Sequence, residues 1–137
     1  MALSGIDHVA IAVPSLEEAT ESYSDLLGDE PEYEVVEQQG VRIAVFDVGD
    51  SRIELLEPLE DDNAIGRFLE EHGQGVHHVA LRTDSVDQEL DRVMDQESIT
   101  CIDESPRDGA QGYRIAFLHP KDLSGALIEL AQPSASD

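Results

Sequence analysis

The stretch Gly75-Val76-His77-His78-Val79-Ala80-Leu81 decides the fold, because the chain has a nearly identical stretch, Gly5-Ile6-Asp7-His8-Val9-Ala10-Ile11, near its start. A second pair of similar segments, residues 53–58 and 128–133, follows at almost the same separation. Self-similarity at a fixed separation is typical of duplicated structural modules. The sequence therefore predicts two half-domains, each of which contributes one histidine and one glutamate from a hydrophobic strand.

The predicted elements follow the same order in both halves. In the first half we expect a strand at 5–13, a helix from the capping box Ser15-x-x-Glu18 to about Leu27, and strands at 32–38, 41–48 and 51–57. In the second half we expect a strand at 76–82, a helix from about 85 to 95, and strands at 98–102, 113–118 and 126–131. Each half is β-α-β-β-β, so the pattern predicts an α+β fold whose mixed sheet curls into a cup with the helices outside.

The length fits a single domain over residues 1–137, with module one at about 5–58, a linking helix at about 63–72 and module two at about 76–132. The single cysteine, Cys101, excludes an intramolecular disulfide and favours a reducing compartment. The sequence has no secretory signal and no apolar run of about 20 residues. We therefore expect a cytoplasmic protein without a membrane partner.

The charge is strongly acidic, with 31 acidic residues against 8 basic ones and a net charge of -23. Nucleic acid is an unsuitable partner, since phosphate binding requires clustered cations. Such a surface either keeps the protein soluble or reflects a high-salt cytoplasm, where screening weakens self-repulsion. The basic residues favour the halophilic interpretation, because Lys121 is the only lysine and the others are arginines.

Strand alternation places two histidines and two glutamates on the face directed away from the helices. They are His8, Glu54, His78 and Glu129. A carboxylate within an apolar strand costs several kcal/mol unless something compensates it. Two neutral imidazoles and two carboxylates suit a divalent Co, Ni, Mn, Fe or Zn ion, and the small neighbours Ala10 and Ala80 would leave room for a ligand. We predict one metal site; the alternative is two core histidines with glutamates at a solvated rim.

Several segments resemble the vicinal oxygen chelate superfamily and, within it, the methylmalonyl-CoA epimerase family. The segments are 6–13, 53–58, 75–80, the turn Phe117-Leu118-His119-Pro120-Lys121, and 127–130. The resemblance covers about residues 5–132. It implies a glyoxalase-like fold with two βαβββ modules around a metal, commonly as a homodimer. It also implies interconversion of (2R)- and (2S)-methylmalonyl-CoA, usually with bound cobalt.

Carried over by position, the four metal ligands that the resemblance implies are His8, Glu54, His78 and Glu129. Two positions depart from the family pattern, and the second of them concerns an acid/base group. Well-studied members have Gln where this chain has Glu54, and a Glu in the Gln-Gly-Val-Arg-x-Ala segment where this chain has Ile43. Epimerisation requires two bases on opposite faces of C2. We therefore assign Glu129 as one acid/base residue and propose Glu54 as the other.

The CoA part of such a substrate carries phosphates, which this acidic surface would repel. A local cationic site is therefore expected at the family-specific turn, formed by Lys121 with Arg114 and His119.

Three other functions remain open. The first is a glyoxalase I-type lyase acting on a thiol hemithioacetal, which also has a His/Glu/His/Glu set. The second is a metal-independent binding module, which would not need all four ligands. The third is an extradiol dioxygenase, which would use two histidines and one carboxylate.

Overall fold

The computed structural model describes residues 2–134, which contain eight β-strands and three α-helices. The strands are β1 (Leu3–Ala12), β2 (Glu32–Val36), β3 (Val41–Val48), β4 (Ser51–Pro58), β5 (Gly75–Thr83), β6 (Arg107–Asp108), β7 (Arg114–Leu118) and β8 (Ile128–Gln132). The helices are α1 (Leu16–Leu27), α2 (Ala64–His72) and α3 (Val86–Gln96). The chain divides into two compact units, one consisting of His8–His77 and the other of the residues up to Asp7 and from His78 onward.

In the unit His8–His77, the strands run in the order β2-β3-β4-β1. The part of β1 in this unit pairs in parallel with β4, which places His8 opposite Arg52 and Ala10 opposite Glu54. Strands β3 and β4 are antiparallel, with Val45 opposite Glu54. This register puts the side chains of Arg52 and Glu54 on the same face as His8.

Helix α1 begins at an N-cap and packs on the other face of this sheet. The Ser15 hydroxyl accepts a hydrogen bond from the Glu18 N–H, as the capping box predicted. The helix ends at Gly28, whose φ of 68° is a left-handed conformation that favours glycine. Leu16 on its apolar side packs in a buried core with the strand residues Phe46 and Leu55.

In the other unit, the strands run in the order β5-β8-β7-β6. Strands β5 and β8 are parallel, with Ala80 opposite Glu129. Helix α3 is capped by Ser85 and packs Val86, Leu90 and Val93 against Leu118 and Leu130 of the sheet. Ile128 and Leu130 therefore face the helix and Glu129 faces away from it, as the alternation predicted.

One predicted strand is wrong. Residues 98–102 form only an isolated bridge between Cys101 and Leu118. Beside this bridge, the Asp103 carboxylate accepts the Phe117 N–H at 2.8 Å, and the Phe117 carbonyl accepts the N–H groups of both Ile102 and Asp103. A side chain thus takes the place of a ladder hydrogen bond.

The α+β class and the two helix-containing sheet modules are confirmed. Within the part of the chain described here, no helix has the length and apolar character needed to cross a membrane.

Candidate metal site

The first histidine–glutamate pair lies in the unit His8–His77. His8 and Glu54 are 4% and 5% exposed, and His8 Nδ1 lies 3.5 Å from Glu54 Oε2. The side chain of Arg52 is 13% exposed, and its Nη2 lies 3.3 Å from Glu54 Oε2 and 3.3 Å from His8 Nδ1. Parallel pairing of β1 with β4 brings these three residues together, because His8 is in register with Arg52.

The second pair lies in the other unit. His78 Nε2 is 3.7 Å from Glu129 Oε1, and the two residues are 7% and 4% exposed. The ring of Phe117 meets the His78 ring edge-on, with centroids 5.2 Å apart and an interplanar angle of 88°. The aromatic contact restricts the imidazole, so the pair is held in a defined orientation.

Both pairs have the donor chemistry and the spacing that a divalent ion requires. Ligand nitrogens and oxygens bind such ions at about 2.0–2.2 Å, so two ligands of one ion lie roughly 3–4 Å apart. The measured separations of 3.5 Å and 3.7 Å fall in this range. Imidazole and carboxylate are also the ligand types expected for first-row transition metals. The site residues therefore fit a divalent metal.

Ile43 is unsuited to proton transfer. It is apolar, 2% exposed and paired with Leu56 on β4. Its partner on β2 is Glu34, which is half-buried, so a carboxylate does lie on the same sheet face one strand away. Glu54, the buried carboxylate on β4, also lies on that face.

The three residues expected to bind the CoA part occupy different environments. His119 Nδ1 accepts the Lys121 N–H at 3.0 Å and thereby caps the short 3-10 turn Pro120–Asp122. Lys121 is exposed in this turn. Arg114 lies at the other end of β7, where Nε and Nη2 each lie 3.3 Å from the Asp87 carboxylate. Lys121 thus presents its charge to solvent, whereas Arg114 is engaged with α3.

Two charged residues, Arg52 and Asp7, were not predicted from the sequence. Asp7 is 0% exposed and accepts hydrogen bonds from Arg82 Nε at 3.0 Å and from the Tyr113 hydroxyl at 3.1 Å. Asp7 carried the signal that identified Glu54, namely a carboxylate within an apolar strand. Arg52 lies two residues before Glu54 on the same strand, so alternation places both side chains on one face. This alternation was the feature of the sequence that could have predicted Arg52 beside the site.

His77 lies against α2. Its ring meets Phe68 edge-on, with centroids 5.0 Å apart, and burial lowers its pKa from 6.5 to about 4. A neutral imidazole packed on an aromatic ring indicates a structural role for His77.

The sequence also matches a known protein superfamily. The model of the glyoxalase/bleomycin resistance protein/dioxygenase superfamily matches residues 7–117. The chain belongs to this superfamily. The predicted superfamily is therefore confirmed.

Within the superfamily, the chain is similar to epimerases of nearly the same length. It is 36% identical over 135 residues to the ethylmalonyl-CoA/methylmalonyl-CoA epimerase of Cereibacter sphaeroides. The aligned region covers 93% of this chain and 96% of the relative. A variant of the Streptomyces coelicolor methylmalonyl-CoA epimerase, solved in complex with 2-nitronate-propionyl-CoA, matches with a TM-score of 0.90 and 41% identity over 97% of this chain and 96% of that one.

A methylmalonyl-CoA epimerase solved in complex with methylmalonyl-CoA and NH4+ also matches, with a TM-score of 0.90 and 40% identity over 98% of both chains. The chain belongs to the family of these epimerases. The predicted membership of this family is confirmed, and so is the prediction that the protein is an enzyme of the epimerase class.

Proposed function

We propose that the protein is a metal-dependent epimerase that interconverts (2R)- and (2S)-methylmalonyl-CoA. Membership of the epimerase family supports the reaction. The observation that carries the metal dependence is the pair of buried histidine–glutamate contacts, one in each unit, with separations of 3.5 Å and 3.7 Å.

We propose that His8, His78 and Glu129 bind one divalent ion and that Glu54 is its fourth ligand. All four side chains are buried, which removes competing water and favours ligands in a fixed geometry. Co²⁺ is the favoured ion because the family usually uses cobalt, and Ni²⁺, Mn²⁺, Fe²⁺ and Zn²⁺ suit the same ligands. When bound, the ion supplies positive charge that stabilises the enolate oxygen of the thioester.

The proton transfers are assigned to the two glutamates. One carboxylate takes the C2 proton, and the C–H electron pair moves into the thioester as an enolate. The other carboxylate, in its protonated form, returns a proton to the opposite face of C2, which inverts the centre. Glu129 and Glu54 are proposed for these roles because both are buried carboxylates beside a histidine.

Lys121 is proposed as the main contact for the CoA phosphates. Lys121 is exposed in the turn that His119 caps. An anion therefore reaches its ammonium group while the hydrogen bond from the Lys121 N–H to His119 Nδ1 stays in place. Arg114 is proposed as a second contact, which requires exchange of its Asp87 partner for phosphate.

We also propose a homodimer in a salt-rich cytoplasm, on the grounds of the family and of the net charge of -23.

The test compares two substrates with the same enzyme. Conversion of (2S)- to (2R)-methylmalonyl-CoA is measured with the metal-loaded protein, in parallel with isomerisation of the methylglyoxal–glutathione hemithioacetal. We expect epimerisation alone, abolished by a chelator and restored by Co²⁺. Turnover of the hemithioacetal alone would establish the lyase instead, and a protein that contains no metal and has no activity would indicate a binding module.

The acid/base assignment is tested with Glu54→Gln, and Glu34→Gln serves as its control on the same sheet face. We expect Glu54→Gln to retain the ion and to lose most turnover, by about 100-fold or more. Glu34→Gln should leave turnover within about threefold of the wild type, since Glu34 has no assigned contact with the reacting atoms. Near-normal turnover of Glu54→Gln would refute the assignment.

A further inference from the structure

Arg52 is an arginine placed directly against two of the proposed metal ligands. Its side chain is 13% exposed, and Nη2 lies 3.3 Å from both Glu54 Oε2 and His8 Nδ1. A second arginine pair in the same unit, Arg42 with Glu57, has side chains that are 50% and 21% exposed. Solvent weakens the exposed pair, whereas the Arg52 contact acts in a largely buried environment.

The guanidinium lies at the lone pairs that an ion held by His8 Nδ1 and Glu54 Oε2 would use. Arginine only donates hydrogen bonds, so His8 Nδ1 accepts from Arg52 in the tautomer that carries its proton on Nε2. Metal binding also requires a proton-free imidazole nitrogen and an ionised carboxylate. Since His8 Nδ1 and Glu54 Oε2 are only 3.5 Å apart, a cation shared by these atoms lies either in the place of Nη2 or immediately beside it.

We infer that Arg52 is a built-in competitor of the divalent ion at His8 and Glu54 and that it sets how tightly the site holds the ion. The inference rests on the metal dependence proposed above. With no ion bound, Arg52 compensates the buried Glu54 carboxylate, which would otherwise be strongly unfavourable. Binding of the ion exchanges one cation for another, because the guanidinium must leave the two ligand atoms.

The test measures metal affinity and does not depend on activity. Apo-protein is titrated with Co²⁺ and Zn²⁺ against a chromophoric chelator, and the rise in Tm on metal addition is recorded. Arg52→Met removes a positive charge that repels the ion and keeps an unbranched side chain, so we expect it to bind metal about 10-fold tighter or more, with a larger rise in Tm. Arg52→Lys retains a unit positive charge at this position, so its metal affinity should stay within about threefold of the wild type.

Arg42→Met is the matched control, since it removes an arginine paired with a glutamate in the same unit. Its metal affinity should remain within about twofold of the wild type. Arg52→Met leaves Glu54 without its arginine, so a second comparison is needed in case this variant does not fold. The comparison sets Glu54→Gln beside Arg52→Met/Glu54→Gln, and we expect the double variant to bind metal more tightly because His8 Nδ1 is released.

Equal or weaker binding by Arg52→Met and by the double variant, relative to their parents, would overturn the inference. If the wild type binds metal and these variants do not bind it more tightly, the inference fails and the proposed metal dependence stands. If neither the wild type nor any variant binds Co²⁺ or Zn²⁺, the proposed metal dependence fails and the inference fails with it.

Discussion

The hydroxyl of Tyr113 donates a hydrogen bond to Asp7 Oδ1 at 3.1 Å, between residues 106 positions apart in the sequence. The same oxygen accepts a bond from Arg82 Nε at 3.0 Å, and Asp7 is fully buried. This contact ties the beginning of β1 to β5 and to the residue before β7. It also fixes the backbone immediately before His8.

Asp7→Asn should destabilise the protein by about 2 kcal/mol, because the fully buried carboxylate loses its charge-assisted hydrogen bond from Arg82, whose side chain is 29% exposed. Tyr113→Phe should lose only about 1 kcal/mol, the ordinary contribution of one hydrogen bond. Urea denaturation of the metal-free protein measures both.

Asp87→Asn is the control for this prediction. The Asp87–Arg114 pair has side chains that are 59% and 46% exposed, so we expect a change within about 0.5 kcal/mol. An Asp7→Asn variant as stable as Asp87→Asn would show that the buried contact contributes little.

The second prediction concerns the pH dependence of stability. Burial lowers the pKa of His77 from 6.5 to about 4 in the folded protein. The unfolded chain therefore takes up a proton near pH 6.5 that the folded chain accepts only near pH 4, so stability falls as the pH decreases through this window. The loss is at most about 3 kcal/mol, and His77→Gln should lack this part of it.

His72→Gln provides the comparison, since His72 also contacts Phe68 but its side chain is 63% exposed. We expect its stability to follow the wild-type pH profile, measured by urea denaturation between pH 4 and 8. If His77→Gln and the wild type gave parallel profiles, His77 would not be the group that titrates.

The third prediction concerns Glu129, to which we assign both metal binding and proton transfer. Glu129→Gln should reduce kcat by at least about 100-fold and lower the metal content of the purified protein. Glu89→Gln is the control, because Glu89 is also buried but pairs with Arg92 on α3. Its kcat and metal content should equal those of the wild type. Full metal content and activity in Glu129→Gln would remove Glu129 from the site.

The fourth prediction concerns Gly66 in the first turn of α2. Helix propensity favours alanine there by about 1 kcal/mol, but a Cβ at Gly66 would overlap the backbone carbonyl of Asp61. The overlap should dominate, so we expect Gly66→Ala to destabilise the protein by about 2 kcal/mol. Thermal denaturation beside Glu71→Ala, an exposed change in the same helix, measures the difference. A more stable Gly66→Ala would mean that the Asp61 backbone moves freely.

The sequence by itself determined the α+β class, the repeated modules and the faces of the key strands. Alternation has a period of two residues, so the parity of His8, Glu54, His78 and Glu129 follows from local sequence alone. The one strand that was wrong, at 98–102, failed because the Asp103 side chain takes a backbone hydrogen bond, a competition that alternation does not report.

Only the tertiary structure decided which charged side chains meet. Arg52 reaches His8 because β1 and β4 are parallel and in register, and Tyr113 reaches Asp7 from 106 residues away. Register depends on how strands pack across the whole sheet, and shifting a strand by one residue would turn each side chain to the other face. Strand periodicity therefore identified the proposed metal ligands, while the long-range packing placed a competing guanidinium beside two of them.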